Sequence, residues 1–325
     1  MSASRDATQG QASRQKRWSR IAERGSMWGM RFTVWCYRSL GRPVGVVLVH
    51  AIVAYFFFTD RPGRRASLAY LRRVDATPAG RAALGRRPGL WASFLHYRAF
   101  GLSILDRLAI WAERTQDFAY AVEGNEICDR LAAEGRGGIV LGAHLGSFDA
   151  LRLLAERQHR IVHALMFTEH AQRINTIFRE LSPDVELHVI ESDSQSIWST
   201  FRIRECVRRG ELVSILSDRV DPDDRGRTSR VPFLGGTVEL PRAPFLLASL
   251  LACPVLLMLA CRTGPGHYDV FTELLTDGTA VGPEEREKIA SELLTAYAQR
   301  LEHYCMKYPY QWFNFFDYWG DEASS

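Results

Sequence analysis

Gly138-Ile139-Val140-Leu141-Gly142-Ala143-His144-Leu145-Gly146-Ser147-Phe148-Asp149 is the stretch on which the reading of this chain turns. Residues 138–141 are apolar and partly β-branched, and the breakers Gly135 and Gly137 precede them, so they read as a short buried strand. From Ser147 to Gln158, Leu151, Leu153, Leu154 and Ala155 fall among the apolar positions of a helix. His144 therefore stands where a strand gives way to a helix. In open α/β sheets that is the end where ligands and catalytic groups gather.

The spacing of His144 and Asp149 suits proton transfer. An imidazole takes up a proton near neutral pH, and a carboxylate beside it fixes the tautomer and stabilises the cation. On one continuous helix, positions five apart lie about 140° from each other and do not meet. With the histidine in the loop and the aspartate one turn into the helix they can, and Gly142 and Gly146 permit the tight path. The same spacing has a plainer reading, a surface histidine next to a first-turn acid facing the helix dipole.

Working outward, strands are expected at 138–142, 161–166, 185–190, 211–217, 254–261 and 267–273. Helices are expected at 126–133, 147–157, 170–181, 194–208, 242–252 and 283–307, and Trp91, Leu95, Ala99, Leu102, Leu105 and Ile110 mark one apolar side of an earlier long helix. This alternation predicts an α/β fold: a mixed, largely parallel central sheet flanked by helices. Neither G-x-G-x-x-G after the first strand nor G-x-x-x-x-G-K-[ST] is present, which argues against nucleotide binding. Ser147 lacks the G-x-S-x-G elbow of a serine hydrolase and reads as a helix cap.

The 325 residues are 46% hydrophobic, enough for one large core with an appendage. Charge is uneven. Residues 1–42 hold nine Arg and Lys against Asp6 and Glu23, a net of +7, so the remainder of a chain with net +4 carries −3. Such an arm seeks phosphates of nucleic acid or of anionic lipid. The uncharged run Pro43–Phe58 that follows favours lipid, as a short tilted span or a helix lying in one leaflet, with the basic side cytoplasmic. The same run has the length of a buried core helix. No secretory signal opens the sequence, and six scattered cysteines without C-x-x-C pairs suit packing in a reducing compartment. The expected organisation is a basic arm and membrane-anchoring helix over 1–60, an α/β domain over 61–319 and a tail over 320–325.

A second constellation begins at Ser217-Asp218-Arg219, which closes the strand at 211–217. A polar loop through Arg227 and Arg230 follows, then Val231-Pro232-Phe233-Leu234-Gly235-Gly236, and Leu240-Pro241 opens a helix. The arginines suit an anionic group, and residues 233–236 suit backbone donors and an apolar wall. An ordinary solvated loop fits the composition equally well.

The strand–H-x4-D–helix unit, the later strand ending in Asp218, the Val231–Gly236 segment and the strand Pro254-Val255-Leu256-Leu257 occur in that order in the lysophospholipid acyltransferase superfamily. The chain most resembles its lipid A biosynthesis branch, the lauroyl and myristoyl transferases. Trp18, Glu23-Arg24-Gly25-Ser26, Gly41-Arg42 and Tyr55-Phe56-Phe57 resemble that branch's N-terminal anchor, and Pro309-Tyr310-Gln311-Trp312-Phe313-Asn314-Phe315-Phe316-Asp317-Tyr318-Trp319 resembles its ending. The superfamily's usual Glu-Gly-Thr block is replaced here by Leu234-Gly235-Gly236.

The resemblance implies an acyltransferase that moves a fatty acyl chain from an acyl-carrier protein or acyl-CoA thioester to a hydroxyl of a membrane glycolipid. A lipid A precursor is the default acceptor, and other envelope lipids of the aryl polyene type are an alternative. It implies His144 as general base oriented by Asp149. Arg173, Asn175, Asp218, Arg227, Phe233 and Gly235 would contact substrate, with Arg173 and Arg227 on its anionic groups or the oxyanion. It implies no metal, no bound cofactor and no nucleic acid, and a place on the cytoplasmic face of the cell inner membrane. The competing expectation is a non-catalytic membrane-associated partner of a lipid-biosynthesis complex. The aromatic C-terminal run reads chiefly as core packing.

Overall fold

The computed structural model describes residues 27–112, 115–167, 188–192, 197–220 and 227–320. Nine helices and nine strands lie among them. Helix α1 (Met27–Thr59) is followed by α2 (Arg61–Asp75), α3 (Pro78–Leu84) and α4 (Leu90–Trp111). Then come β1 (Ala119–Glu123), α5 (Asn125–Ala133), β2 (Gly138–Gly142), α6 (Phe148–Arg157), β3 (Val162–Phe167) and β4 (Val189–Ser192). The chain continues through α7 (Ile197–Arg208), β5 (Leu212–Leu216), β6 (Thr228–Phe233), β7 (Gly236–Pro241), α8 (Ala243–Leu251), β8 (Val255–Gly264), β9 (His267–Thr276) and α9 (Pro283–Lys307).

Seven strands form one sheet in the order β1-β9-β8-β2-β5-β3-β4. All of its pairings are parallel except β8 with β9. The mixed, largely parallel α/β fold is therefore as the alternation predicts. Buried on every residue, β2 sits at the centre, where a strand covered on both faces needs a continuous apolar run.

Two segments depart from the sequence reading. Residues 119–123 form an edge strand that the alternation of half-buried and exposed positions hides. Residues 228–241, expected as loop and helix start, form the antiparallel hairpin β6–β7. Its two-residue turn, Leu234-Gly235, has both φ angles positive, the geometry that matches the twist of paired strands. Pro232 and Pro241 are tolerated because a two-stranded ribbon leaves each strand an unpaired edge. The helix expected at 170–181 lies outside the described residues.

Helix α1 is bent at Gly41, whose φ is 80°. Its part from Gly41 to Thr59 is long and apolar enough to cross a membrane by length and composition. Val49, Val53 and Phe57 are buried in the cluster that holds Leu102 and Leu105 of α4. Gly101 allows the approach, since a Cβ there would stand 2.5 Å from Val53 Cγ2. Val44, Val47, Ile52, Tyr55 and Phe58 are exposed on the same helix.

Candidate active site

Parallel strands with covered faces end at a common edge, and the site is built there. Strands β2 and β5 pair with Gly142 opposite Leu216. Two residues further on, His144 and Asp218 stand level. His144 Nδ1 lies 2.7 Å from Asp218 Oδ1, and the His144 backbone N–H donates to Oδ2 at 3.0 Å. An ionised carboxylate can only accept, so Nδ1 carries the ring proton and Nε2 keeps its lone pair. The His144 side chain is 27% exposed while Asp218 is wholly buried.

Asp218 is saturated with donors. Trp312 Nε1 and Asn314 Nδ2 each donate to Oδ2 at 3.0 Å, and the Tyr318 hydroxyl donates to its main-chain carbonyl. Burial works to raise the Asp218 pKa, but the charge and hydrogen bonds of His144, with the charge of Arg219, overcome it and hold the carboxyl well below the usual range. His144 is shifted down as well, which for an imidazole favours the neutral form. Burial, then the charge of Arg219, lower its pKa against the pull of Asp218, with a further contribution from Arg107. The result is a neutral imidazole held by an ionised carboxylate, its ring partly exposed.

The C-terminal segment is a strap over this site. Phe313 N donates to His144 O at 2.7 Å, and Gly146 N donates to Gln311 O at 2.9 Å. Arg219 grips the strap from below, through Asn314 Oδ1 at 2.7 Å and Phe313 O at 3.0 Å. Trp312, Phe313, Phe315 and Tyr318 are buried, so the aromatic run packs inward. His96 shows the contrast with His144. Buried, and placed against Ser67 Oγ at 3.0 Å and Trp312 O at 2.9 Å, it supports the strap, and burial pushes its pKa down to about 4.

Gly146 is required. Its φ is 76°, and a Cβ would meet Ala260 O at 2.0 Å, because the loop crosses β8 there with Ser147 N donating to that carbonyl at 2.8 Å. Ser147 caps α6, its hydroxyl accepting from Ala150 N at 3.2 Å. It is buried and occupied in that role, as the sequence suggests.

Asp149 is not the partner of the His144 ring. From the first turn of α6 its carboxylate accepts Arg107 Nε at 2.6 Å and Trp111 Nε1 at 2.9 Å. Burial raises its pKa, but Arg107, Arg152 and these hydrogen bonds outweigh that and keep it ionised. The expected pairing fails because a carboxylate was already available from β5, in register with the histidine, and α6 carries Asp149 back toward α4. Asp218, expected as a substrate contact, is the group on Nδ1.

The other expected substrate contacts divide. Phe233 is buried against the Trp312 ring at 5.3 Å, and its carbonyl accepts Trp319 Nε1 at 3.1 Å, so it backs the strap. Gly235 is exposed at the hairpin tip, and the adjacent Leu234 N–H is taken by Glu302 Oε2 at 2.6 Å. Arg227 is exposed at the hairpin's open end, where its carbonyl accepts Arg242 N at 2.9 Å. Among the described residues no hydrogen bond joins Arg227 or Gly235 to His144. Arg173 and Asn175 lie outside the described residues. Sequence reasoning missed Arg107, Trp312 and Asn314 as site residues.

At the opposite end of the sheet, donor atoms of His163, Cys206 and Glu211 lie within 4.8 Å of one another, a spacing compatible with a metal ion. There Glu211 already accepts from Arg209 at 2.8 and 2.7 Å and pairs with His163 at 2.7 Å. The group stands as an ion-paired cluster.

A family model described as bacterial lipid A biosynthesis acyltransferase matches residues 90–320, which include every element of the site. No curated protein matches the chain.

Proposed function

The chain belongs to the bacterial lipid A biosynthesis acyltransferase family and is an acyltransferase, and from that premise we propose that His144 is the general base of direct acyl transfer, with Asp218 holding its ring. The acceptor hydroxyl oxygen attacks the thioester carbonyl carbon while its proton passes to Nε2. The tetrahedral intermediate then expels the thiolate, which takes that proton back, and the ester and free thiol leave. No covalent acyl-enzyme forms. Asp218 keeps Nδ1 protonated and stabilises the imidazolium while it lasts.

The observation that carries this reading is the 2.7 Å contact of His144 Nδ1 with a buried carboxylate, with the ring left 27% exposed. Leu216, exposed at the end of β5 beside Gly142, offers apolar surface at the same edge. We infer an acyl-carrier protein or acyl-CoA thioester as donor and a hydroxyl of a membrane glycolipid, such as a lipid A precursor, as acceptor. Attachment to the cytoplasmic face of the inner membrane through the arm and α1 fits the apolar stretch from Gly41 to Thr59 and its exposed side chains.

His144→Asn tests the base. Asparagine retains a donor near the Nδ1 position for Asp218 and deletes Nε2. Thioester consumption with a lipid A precursor should fall by about 10³-fold or more, with thermal stability near wild type. Full turnover would overturn the role given to His144. Mass spectrometry of total lipids with and without the protein, read for a species shifted by one acyl unit, identifies acceptor and chain.

A further inference from the structure

Asp149 holds a guanidinium by one edge only. Arg107 of α4 gives its Nε–H to Asp149 Oδ2 at 2.6 Å, while Trp111 Nε1 occupies the other carboxylate oxygen at 2.9 Å. The Asp149 side chain is 9% exposed and that of Arg107 is 39% exposed. The two terminal amino groups of Arg107, four N–H donors, make no hydrogen bond within the described residues. The contact with Asp149 holds Arg107 at the first turn of α6, the helix that the loop carrying His144 leads into, and its charge works against the imidazolium of His144.

An arginine fixed at Nε by a buried acid presents its two amino groups as a pre-aimed fork. That fork matches paired anionic oxygens, and little side-chain entropy remains to be lost on binding. We propose that Arg107 binds an anionic oxygen of the substrate beside His144 and that Asp149 is the positioning residue that aims it. The inference rests on the reading of His144 as the reacting base. It gives the aspartate of the H-x4-D motif a function that the His144–Asp218 pairing leaves open. Two sources supply such an oxygen: a phosphate carried by donor or acceptor, and the oxyanion that forms on the thioester carbonyl.

The test is steady-state kinetics of the full chain with a dodecanoyl thioester and a phosphorylated lipid A precursor. Arg107→Gln should lower kcat/KM by about tenfold or more. A rise in KM for one substrate places the fork on that substrate's phosphate; a fall in kcat places it on the oxyanion. Of the charged groups facing His144, namely Asp218, Arg219 and Arg107, this variant removes one cation. The acid limb of the pH–rate profile should therefore move to higher pH. Arg107→Lys keeps the charge and the contact with Asp149 but not the fork. It should fold as wild type, leave the limb in place and still lose activity, which keeps the test valid if the glutamine variant unfolds.

Asp149→Asn should depress the same kinetic parameter, and combining it with Arg107→Gln should add little, since both remove one device. Wild-type kcat and KM in both Arg107 variants would overturn the inference, and additive losses in the double variant would overturn the role of Asp149. A His144→Asn enzyme that still turns over would instead sink the base reading and leave the Arg107 result to stand by itself.

Discussion

Two buried aspartates flank the loop after β2, and their surroundings differ in what they hold. Asp218, at the end of β5, accepts four hydrogen bonds, two from His144 and one each from Trp312 and Asn314. Asp149, in the first turn of α6, accepts from Arg107 and Trp111 of α4. One carboxylate fixes an imidazole to the sheet; the other fixes a guanidinium to the helical layer that also packs against α1. The five-residue motif thus spreads its two ends over two devices, and the partner of the histidine comes from the end of a strand, 74 residues away.

Substitutions can break that contrast. The largest effect is expected for Asp218→Asn. An amide removes the charge that stabilises the imidazolium and can present the wrong group to Nδ1, so kcat should fall by roughly 10³–10⁴-fold with the fold retained. Wild-type turnover would erase the distinction between the two acids. Next comes Gly146→Ala, which attacks the turn that sends His144 and Asp149 to different places. The added Cβ collides with Ala260 O in a backbone conformation alanine resists, so denaturant midpoints should report a loss of about 3 kcal/mol. An undisturbed midpoint would show that the turn can be rebuilt. Smallest is Ser147→Ala. It removes only the cap of α6, for about 1 kcal/mol of stability and near-normal transfer. A hundredfold loss of activity without unfolding would instead reinstate the serine as a reacting group.

What could be read in the sequence follows from how locally each feature is encoded. The central strands β2, β5 and β8 announce themselves as apolar runs because both of their faces are covered. Strand β1 does not, since an edge strand with exposed alternate residues resembles a polar linker. The hairpin was hidden by Pro232 and by a turn, Leu234-Gly235, that lacks the usual Asn-Gly signature. His144 was legible as a candidate base from its place after β2. Its pairing with Asp218 was not, because that contact depends on which strands are neighbours and in what register. A signal did exist: both residues follow the end of a buried strand by two positions, and parallel neighbours in register bring such positions level. Arg107 gave no signal, being one arginine on a helix with no motif around it.

Nitrogen-15 NMR of histidine-labelled protein reports which ring nitrogen of His144 carries the proton. At neutral pH the expected spectrum is that of a neutral His144 with the proton on Nδ1 and Nε2 bare, unchanged in Asp149→Asn and lost in Asp218→Asn. A proton on Nε2 in the wild type, or a tautomer that responds to Asp149 and ignores Asp218, would contradict it.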